Sequence, residues 1–408
     1  MNEAPARTRW ATVMLLCLCG VLAGVQFAKV AVEFARLQVI YGGSAARMGL
    51  LLSTVGVMGL LCGVAAGLLA PRWGYRRLLV LGLAGGALLS ALQALLPPFA
   101  LFWASRVPEG AAHLAIMVAT PTLLIHACAP RHQALVMGLW ATVIGLAFAV
   151  LAGLDRALPQ GLAVREVLVG HAVALALAAA AVRAWVADVP TAGAAAAGPG
   201  ARFSLLALHR QVYADLRTAL PGLAFFFYAF PTIALITFVP GFSGAGSASF
   251  QTLLPLMATA GTLMAGWAAR RFMSRSASAS GLGLGLVRSA MAAFALSSLA
   301  LWVAALAGVP TTALALLTLV CAGFSGGAAS TLIPQLNPVP AQQSRASGAL
   351  VQLGNLGSVT GPPCFAAVAA PFGLAGLAGL AALSAGLALL VLWAFERLGR
   401  ASARAARP

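Results

Sequence analysis

Charged residues are scarce in this chain: they make up 8% of its 408 residues, whereas hydrophobic residues make up 61%. Mean hydropathy is correspondingly high, at +0.96. A soluble domain needs far more charge than this to cover its exterior. The composition therefore excludes an ordinary soluble globular protein and indicates a chain that lies in a lipid bilayer.

The sequence also lacks the alternation of apolar and polar residues that marks the strands of a membrane β-barrel. Apolar runs of about 20 residues recur instead, each long enough to cross the roughly 30 Å hydrocarbon layer as a helix. Helices satisfy their backbone groups internally, as lipid requires. The sequence predicts an all-α membrane protein with twelve transmembrane helices, at approximately 11–34, 49–70, 78–96, 99–127, 134–154, 163–187, 218–240, 250–269, 280–306, 311–335, 346–370 and 372–396.

Signatures of catalysis are missing as well, since the chain has neither an H-E-x-x-H motif nor a phosphate-binding loop. The run G-x-S-x-G over residues 323–327 matches a nucleophile elbow in letters alone, because no histidine follows Ser325 in the sequence. We interpret it as a small-residue packing or hinge site. The six cysteines show no metal-ligand spacing. We therefore predict no enzyme activity, no metal and no cofactor.

Acidic residues are few: 8 stand against 25 cations, which gives a formal net charge of +17. In a soluble protein this excess would suggest a nucleic-acid partner. With both termini in the cytoplasm, however, most of the arginines fall in inner segments, as the positive-inside rule requires. The outer loops then hold only Arg36, Arg47, Arg156 and Arg165. We predict an N-in/C-in topology and no nucleic-acid partner.

One long segment between the predicted spans is not apolar, and it lies between the sixth and seventh spans. It is rich in Ala, Gly and Pro and becomes amphipathic near its end. The sequence therefore predicts an N-terminal six-helix bundle over residues 1–187, a cytoplasmic linker over 188–217, and a C-terminal six-helix bundle over 218–408. Two six-helix halves are the plan of a transporter built from a repeat.

The two halves share a loop motif. The second span runs into "GLLAPRWGYRR" (residues 67–77), and the eighth runs into "GWAARRFMSR" (residues 266–275). Glycine allows two helices to approach closely, and arginines can bond the last carbonyls of a helix or hold ion pairs that break on switching. We predict a gating-loop motif made of Gly67, Arg72, Gly74, Arg76, Arg77, Gly266, Arg270 and Arg271.

The first of these loops resembles the signature between spans two and three of the major facilitator superfamily. Pro71 stands where that family usually has an aspartate. The pattern "RVPEG" from Arg106 to Gly110 resembles the family's fourth span, and "GNLGSVTGPP" (residues 354–363) resembles its eleventh. The residues of the first loop that match the family signature are Gly67, Leu69, Ala70, Arg72, Gly74, Arg76 and Arg77.

The resemblance implies two bundles around a central cavity, alternating access, and spans one, four, seven and ten along that cavity. The first and fourth spans each carry three polar residues at spacing i, i+3, i+7, which places them on one helix face. An ionisable group inside the membrane costs on the order of 3 kcal/mol, so a functional role is the default hypothesis. The substrate or coupling candidates are Gln26, Lys29, Glu33, Arg106, Glu109 and His113.

The residues themselves leave several roles open. Arg106 binds an anionic group of the substrate or holds a coupling carboxylate, or it only neutralises Glu109 one turn away. Glu109 is a candidate proton carrier, and His113 is either a packing residue or a proton relay. Lys29 and Glu33 could instead form an i, i+4 pair that reaches the membrane interface.

We expect a secondary active transporter that moves a small organic solute, anionic or zwitterionic, with protons as coupling ion. The alternative is an exporter of a metabolite, siderophore or drug by proton antiport, and a transporter-like receptor is a more remote one. The expected partners are this small-molecule substrate, protons and the lipid bilayer, with the protein a monomer. Lys29 is the only lysine beside many arginines and alanines. This composition suggests a GC-rich bacterial genome and hence the bacterial inner (plasma) membrane.

Overall fold

All regular elements in the described part of the chain are helices. The structure, a computed structural model, describes residues 7–129, 132, 136–137, 139–140, 142–157, 161–187, 209–210, 212–242, 247–273, 279–337 and 340–405. Within these ranges no strand occurs. The prediction of an all-α protein with many apolar helices is therefore confirmed.

The first half of the chain contributes eight of the helices that we number. They are α1 (Trp10–Val32), α2 (Phe34–Tyr41), α3 (Ala45–Ser53), α4 (Gly56–Trp73), α5 (Tyr75–Ala94), α6 (Phe99–Ala127), α7 (Val143–Ala157) and α8 (Val164–Trp185). The second half contributes α9 (Leu216–Phe238) with a 3-10 turn (Val239–Phe242), α10 (Ser247–Met273), α11 (Ala279–Leu306), α12 (Thr312–Leu336) and α13 (Pro340–Ala405).

Nine helices in the described ranges are long and apolar enough to cross a membrane, or ten if the bent pair α3 and α4 counts as one span. The segments Ala46–Ser53 and Gly56–Gly63 of that pair meet at 48°. One candidate, Arg345–Arg397, is 53 residues long and contains a break at Gly373, where φ is 54° and ψ is −141°. The count of twelve spans and the N-in/C-in orientation stay predictions.

The chain folds into two compact units. Unit 1 comprises residues 1–205 with 248–256, and unit 2 comprises 206–247 with 257–408. Residues 188–208 of the expected linker lie outside the described residues. The bundle boundaries predicted from the sequence therefore stay a prediction.

In unit 1, the apolar core is built by α1, α5, α6 and α8. Leu16 of α1, Leu83 of α5, Ile116 of α6 and Leu175 of α8 belong to one buried cluster. These four helices pack against one another, and α1 also packs on α7. The polar side chains on the inward faces of the same four helices are consequently held close together.

In unit 2, glycines bring helix backbones into contact. A Cβ added at Gly323 of α12 would overlap the carbonyl oxygen of Ala258 on α10, and one added at Gly361 of α13 would overlap that of Phe230 on α9. Small residues at helix contacts are the usual device for packing helices in lipid, where apolar surface gives no driving force. We call these two contacts the glycine seams.

The run G-x-S-x-G is part of the first glycine seam. A Cβ at Gly327 would come 2.7 Å from the carbonyl oxygen of Thr262. Ser325 is buried, and its hydroxyl donates to the carbonyl oxygen of Ala322 at 2.7 Å. The described geometry agrees with small-residue packing, as expected from the sequence.

Candidate functional site

Lys29, in the last turn of α1, is fully buried at 1% exposure. Its Nζ lies 2.6 Å from Glu109 Oε1, 2.7 Å from Gln93 Oε1 and 3.0 Å from Ser90 Oγ. An ammonium group has three N–H donors and no acceptor. Two of the oxygens accept hydrogen bonds from Lys29, and the carboxylate of Glu109 forms an ion pair with its protonated form.

Arg106 and Glu109 of α6 are both completely buried, at 0% exposure. Arg106 Nη1 lies 2.6 Å from Glu109 Oε2, and its other nitrogens donate to two backbone carbonyls, Nη2 to Gln26 at 2.8 Å and Nε to Leu51 at 2.9 Å. One oxygen of Glu109 therefore faces Lys29 and the other faces Arg106. We call Lys29, Arg106 and Glu109 the ionic cluster.

The local sequence of α6 explains how Arg106 reaches its carbonyl partners. Arg106 and Glu109 stand one turn apart and so share a helix face. A Cβ added at Gly110 would overlap the carbonyl oxygen of Val55, so this glycine lets α6 approach the break between α3 and α4. The carbonyl of Leu51, four residues before Val55, then lies within reach of the guanidinium.

Helix α5 supplies uncharged partners to the ionic cluster. Gln93 Nε2 donates to Glu109 Oε2 at 2.7 Å and to Ser105 Oγ at 3.0 Å, while its Oε1 accepts from Lys29. Ser90, one turn earlier, accepts from Lys29. The amide of Gln93 is thus used at both ends, and it links the charges of α1 and α6 through a third helix.

Helix α8 contributes His171, which is buried among α1 and α5. Its Nδ1 lies 3.1 Å from Ser90 Oγ, and its Nε2 lies 2.9 Å from the carbonyl oxygen of Leu22. Ser90 Oγ also lies 3.1 Å from the carbonyl oxygen of Leu168. The polar contacts therefore run without interruption from Glu109 on α6 to His171 on α8.

Ser90, Gln93 and His171 were not among the residues selected from the sequence. The signal was present, because all three are polar residues inside apolar runs, and Ser90 and Gln93 stand at i, i+3. The family resemblance directed attention to the spans expected along a cavity. These three residues belong to the third and sixth spans instead.

Two further sequence candidates, Gln26 and His113, lie on the same helices as the ionic cluster. Gln26 is fully buried, and neither atom of its side-chain amide has a hydrogen-bond partner among the described residues. A Cβ added at Gly86 of α5 would lie 2.9 Å from Nε2 of Gln26, so this glycine leaves room for the amide. His113 is half-buried, its Nδ1 is 3.1 Å from the carbonyl oxygen of Ala23, and its ring meets Phe27 edge to face at 5.1 Å.

Glu33 belongs to a separate ionic group. It pairs with Arg36 at 3.0 Å, and Arg36 also contacts Asp155 of α7 at 2.8 Å. The i, i+4 pair between Lys29 and Glu33 that the sequence allowed is not formed, because Lys29 points to Glu109 on another helix. Lys29 is buried inside unit 1.

The predicted gating loop is described in part. Gly74 ends α4 with φ at +81°, a left-handed conformation that favours glycine, and its N–H donates to the carbonyl of Ala70 at 3.1 Å. Arg76 Nη1 reaches the carbonyl of Val186, directly after α8, at 3.4 Å. Arg77 is exposed. The side chain of Arg72 and the surroundings of Gly67 lie outside the described residues.

The matching loop of the second half does not show the close approach expected there. Among the described residues, no heavy atom lies within 4 Å of a Cβ added at Gly266. Arg271 is exposed, and the side chain of Arg270 is not among those described. The helix contact that the sequence suggested at Gly266 is therefore absent from the described part of unit 2.

Comparison with known proteins identifies the family. The family model of the Major Facilitator Superfamily matches residues 15–337. This chain belongs to the major facilitator superfamily. It is accordingly a membrane transporter by family, and the resemblance inferred from its loop and span motifs is confirmed. No curated protein gives a significant match to the sequence.

Solved structures agree in fold. A bacterial homolog to the human lysosomal transporter Spinster, in an inward-facing and occupied conformation, matches with a TM-score of 0.68 at 16% identity, over 96% of each chain. The nucleoside transporter NupG matches with a TM-score of 0.68 at 14% identity, over 95% of this chain and 98% of its own. At these identities the likeness concerns the fold.

Proposed function

We propose that the protein is a secondary active transporter which moves a small organic solute by alternating access, with protons as coupling ion. The solute carries a negative charge and is anionic or zwitterionic. The proposed setting is the inner membrane of a bacterium, with the protein acting as a monomer. The observation that carries this proposal is the ionic cluster, in which two buried cations share a single buried carboxylate.

The charge count of the ionic cluster favours an anion as the transported species. With Lys29 protonated, two positive charges stand against the one negative charge of Glu109. At an effective dielectric constant of about 20, a positive charge about 10 Å from an anion contributes ~1.7 kcal/mol, which is roughly 15-fold in affinity. A solute need not touch the cluster to benefit from it, provided that little water lies between them.

The same charge count links the uptake of a proton to the uptake of an anionic solute. Without the proton of Lys29 the cluster is neutral, and with it the cluster has one positive charge in excess. Joint uptake of one proton and one anionic charge therefore leaves the buried region electrically balanced. Glu109 is the other candidate carrier, but both of its oxygens face cationic donors, so a proton there would have to displace Lys29 or Arg106.

The test is a transport panel with the purified full-length protein in liposomes. The solutes are a monocarboxylate, a dicarboxylate, an amino acid, an uncharged nucleoside and an organic cation, each with and without a proton gradient of either direction. We expect accumulation of an anionic or zwitterionic solute, driven by the gradient. Preference for the cation would contradict the proposed charge of the solute. Solute uptake driven by protons that leave the liposome would indicate antiport, the mode of the alternative exporter.

A pair of arginine variants tests whether the ionic cluster is responsible. Arg106→Gln removes one buried cation, whereas Arg288→Gln removes an arginine of unit 2 that is 55% exposed and paired with Glu396. We expect Arg106→Gln to lower anion uptake by about tenfold or more, and Arg288→Gln to leave it nearly unchanged. Equal effects of both variants would contradict the assignment.

A further inference from the structure

We propose that Lys29, Ser90 and His171 form a path for proton transfer, and that Lys29 is the group which takes up and releases the coupling proton. This inference rests on the proton coupling proposed above and names the side chains that perform it. The path joins α1 to α8 through a single hydroxyl of α5. The two steps measure 3.0 Å from Lys29 Nζ to Ser90 Oγ and 3.1 Å from Ser90 Oγ to His171 Nδ1.

The contacts of His171 determine which of its nitrogens can receive a proton. Nε2 lies 2.9 Å from the carbonyl oxygen of Leu22, and a carbonyl oxygen only accepts, so Nε2 carries a hydrogen. In the neutral ring Nδ1 then has a free lone pair. That lone pair faces Ser90 Oγ, the one hydroxyl donor that contacts it among the described residues.

The transfer balances with no further reactant. A proton leaves Lys29 Nζ and bonds to Ser90 Oγ, while the original hydroxyl proton of Ser90 leaves for His171 Nδ1. The products are a neutral lysine amine, an intact serine hydroxyl and an imidazolium. Every donor still has an acceptor afterwards, since Nδ1–H then donates to Ser90 Oγ and Ser90 O–H donates to the lone pair of Lys29. The competing acceptor for the Ser90 hydroxyl is the carbonyl of Leu168.

The choice of lysine at this one position supports the proposal. The chain has 25 cationic side chains, and Lys29 is the only lysine among them. An arginine keeps its proton under all physiological conditions, whereas a lysine can release it when it is buried. The single cation able to exchange a proton is thus the one placed at the end of the hydrogen-bonded path.

Other charges around the path determine what the transfer accomplishes. When the proton moves to His171, the positive charge leaves Lys29, and Arg106 and Glu109 remain as a balanced pair. The transfer therefore switches the excess charge of the ionic cluster off. The charged groups beside the path are Glu109, which contacts Lys29, and Arg106, which contacts Glu109, both on α6; the groups of α5 that contact the path are uncharged.

The main test uses two variants of Ser90 in liposomes, with the panel solute that the wild-type protein accumulates best. Ser90→Ala removes the hydroxyl and Ser90→Thr keeps it. We expect Ser90→Ala to lower gradient-driven accumulation by about tenfold or more, while solute exchange without a gradient stays within about twofold. Ser90→Thr should retain both activities. A purely structural role of Ser90 would lower exchange and accumulation together.

Two results would overturn the proposal. One is wild-type accumulation by Ser90→Ala, and the other is an equal loss of exchange and accumulation in this variant while Ser90→Thr is normal. Lys29→Arg gives a second comparison, because it keeps the charge without a releasable proton. We expect it to lose accumulation and to keep part of its exchange, whereas full accumulation by this variant would also overturn the proposal.

A spectroscopic measurement of the wild-type protein is independent of any solute and of the Ser90 and Lys29 variants. Nitrogen NMR of the wild-type protein with ¹⁵N-labelled histidine reports which ring nitrogen of each histidine carries the hydrogen. The signals of His171 are those that disappear from the spectrum of His171→Gln. We expect the neutral form with hydrogen on Nε2. Hydrogen on Nδ1 would overturn the path, even if the transport panel succeeds. If Nε2 carries the hydrogen but no solute of the panel is transported, the result supports the path and contradicts the proposed function.

Discussion

Both units of this transporter bring helices together at glycines, but among the described residues only unit 1 also joins its helices through buried charges. In unit 1, α1, α5, α6 and α8 are joined through side chains, with the ionic cluster at the centre and Ser90, Gln93 and His171 around it. In the described part of unit 2 no charged side chain is buried, and helix backbones meet directly at the glycine seams. In the ion pair described there, the side chain of Arg288 is 55% exposed and that of Glu396 is 17% exposed.

The difference shows two solutions to one problem. Lipid gives helices no hydrophobic reason to associate, so they must use close packing or hydrogen bonds. A glycine seam depends on shape alone and does not respond to protons. A buried ion pair is sensitive to each charge it contains, because the remaining partner is left unpaired when one is removed. Unit 1 is accordingly where a change of protonation can alter the contacts between helices.

The largest expected effect follows from breaking the ionic cluster. Glu109→Gln leaves Lys29 and Arg106 buried together without a counter-charge, and we expect a loss of about 3 to 5 kcal/mol in stability. Thermal unfolding of the purified protein can be followed with a thiol-reactive dye, since Cys19 and Cys128 are buried free thiols. A melting temperature equal to that of the wild type would show that the cluster does not stabilise unit 1.

A smaller effect is expected at a glycine seam. Gly323→Ala places a Cβ against the carbonyl oxygen of Ala258, so α10 and α12 must separate, at a cost of about 1 to 3 kcal/mol. The matched control is Gly386→Ala on α13, where no described atom lies within 4 Å of the added Cβ. The same dye assay should show a lower melting temperature for the first variant only. Equal melting temperatures would contradict the seam.

The smallest effect is expected at the partly exposed ion pair of unit 2. Glu396→Gln removes the partner of Arg288, whose Nη1 lies 3.3 Å from Glu396 Oε2. Solvent-accessible pairs contribute about 0 to 1 kcal/mol, and water reaches this pair through Arg288, whose side chain is 55% exposed. We expect a melting temperature close to that of the wild type. A decrease as large as that of Glu109→Gln would contradict the contrast drawn between the two units.

The sequence was sufficient for the all-helical fold class and for one of the two ion pairs of the ionic cluster. Hydropathy alone predicted the helices, since each apolar run is long enough to span lipid. The spacing of Arg106 and Glu109 predicted a common helix face, and the structure pairs them. Spacing along one helix, however, does not reveal which helix lies opposite. The partner of Lys29 is Glu109, 80 positions away, and no local pattern predicts that contact.

The gating-loop motif stays a prediction, and its glycines show why a sequence pattern alone does not determine packing. Gly74 and Gly266 belong to similar motifs, yet Gly74 has a left-handed backbone while Gly266 touches nothing within 4 Å in the described part of unit 2. A glycine permits a left-handed backbone or a close approach of another helix. The neighbouring helices determine whether either occurs. Gly323 and Gly361, which bring helix backbones together in unit 2, lie outside the repeated loop.

The burial of the only lysine has a practical consequence. Lys29 is 1% exposed, and no other side chain of this protein carries a primary amine. A reagent specific for side-chain amines can therefore modify the protein at one position only, and only while water reaches the interior of unit 1. The rate of such labelling, read by the mass of the peptide that contains residue 29, would time the opening of this region without any engineered probe.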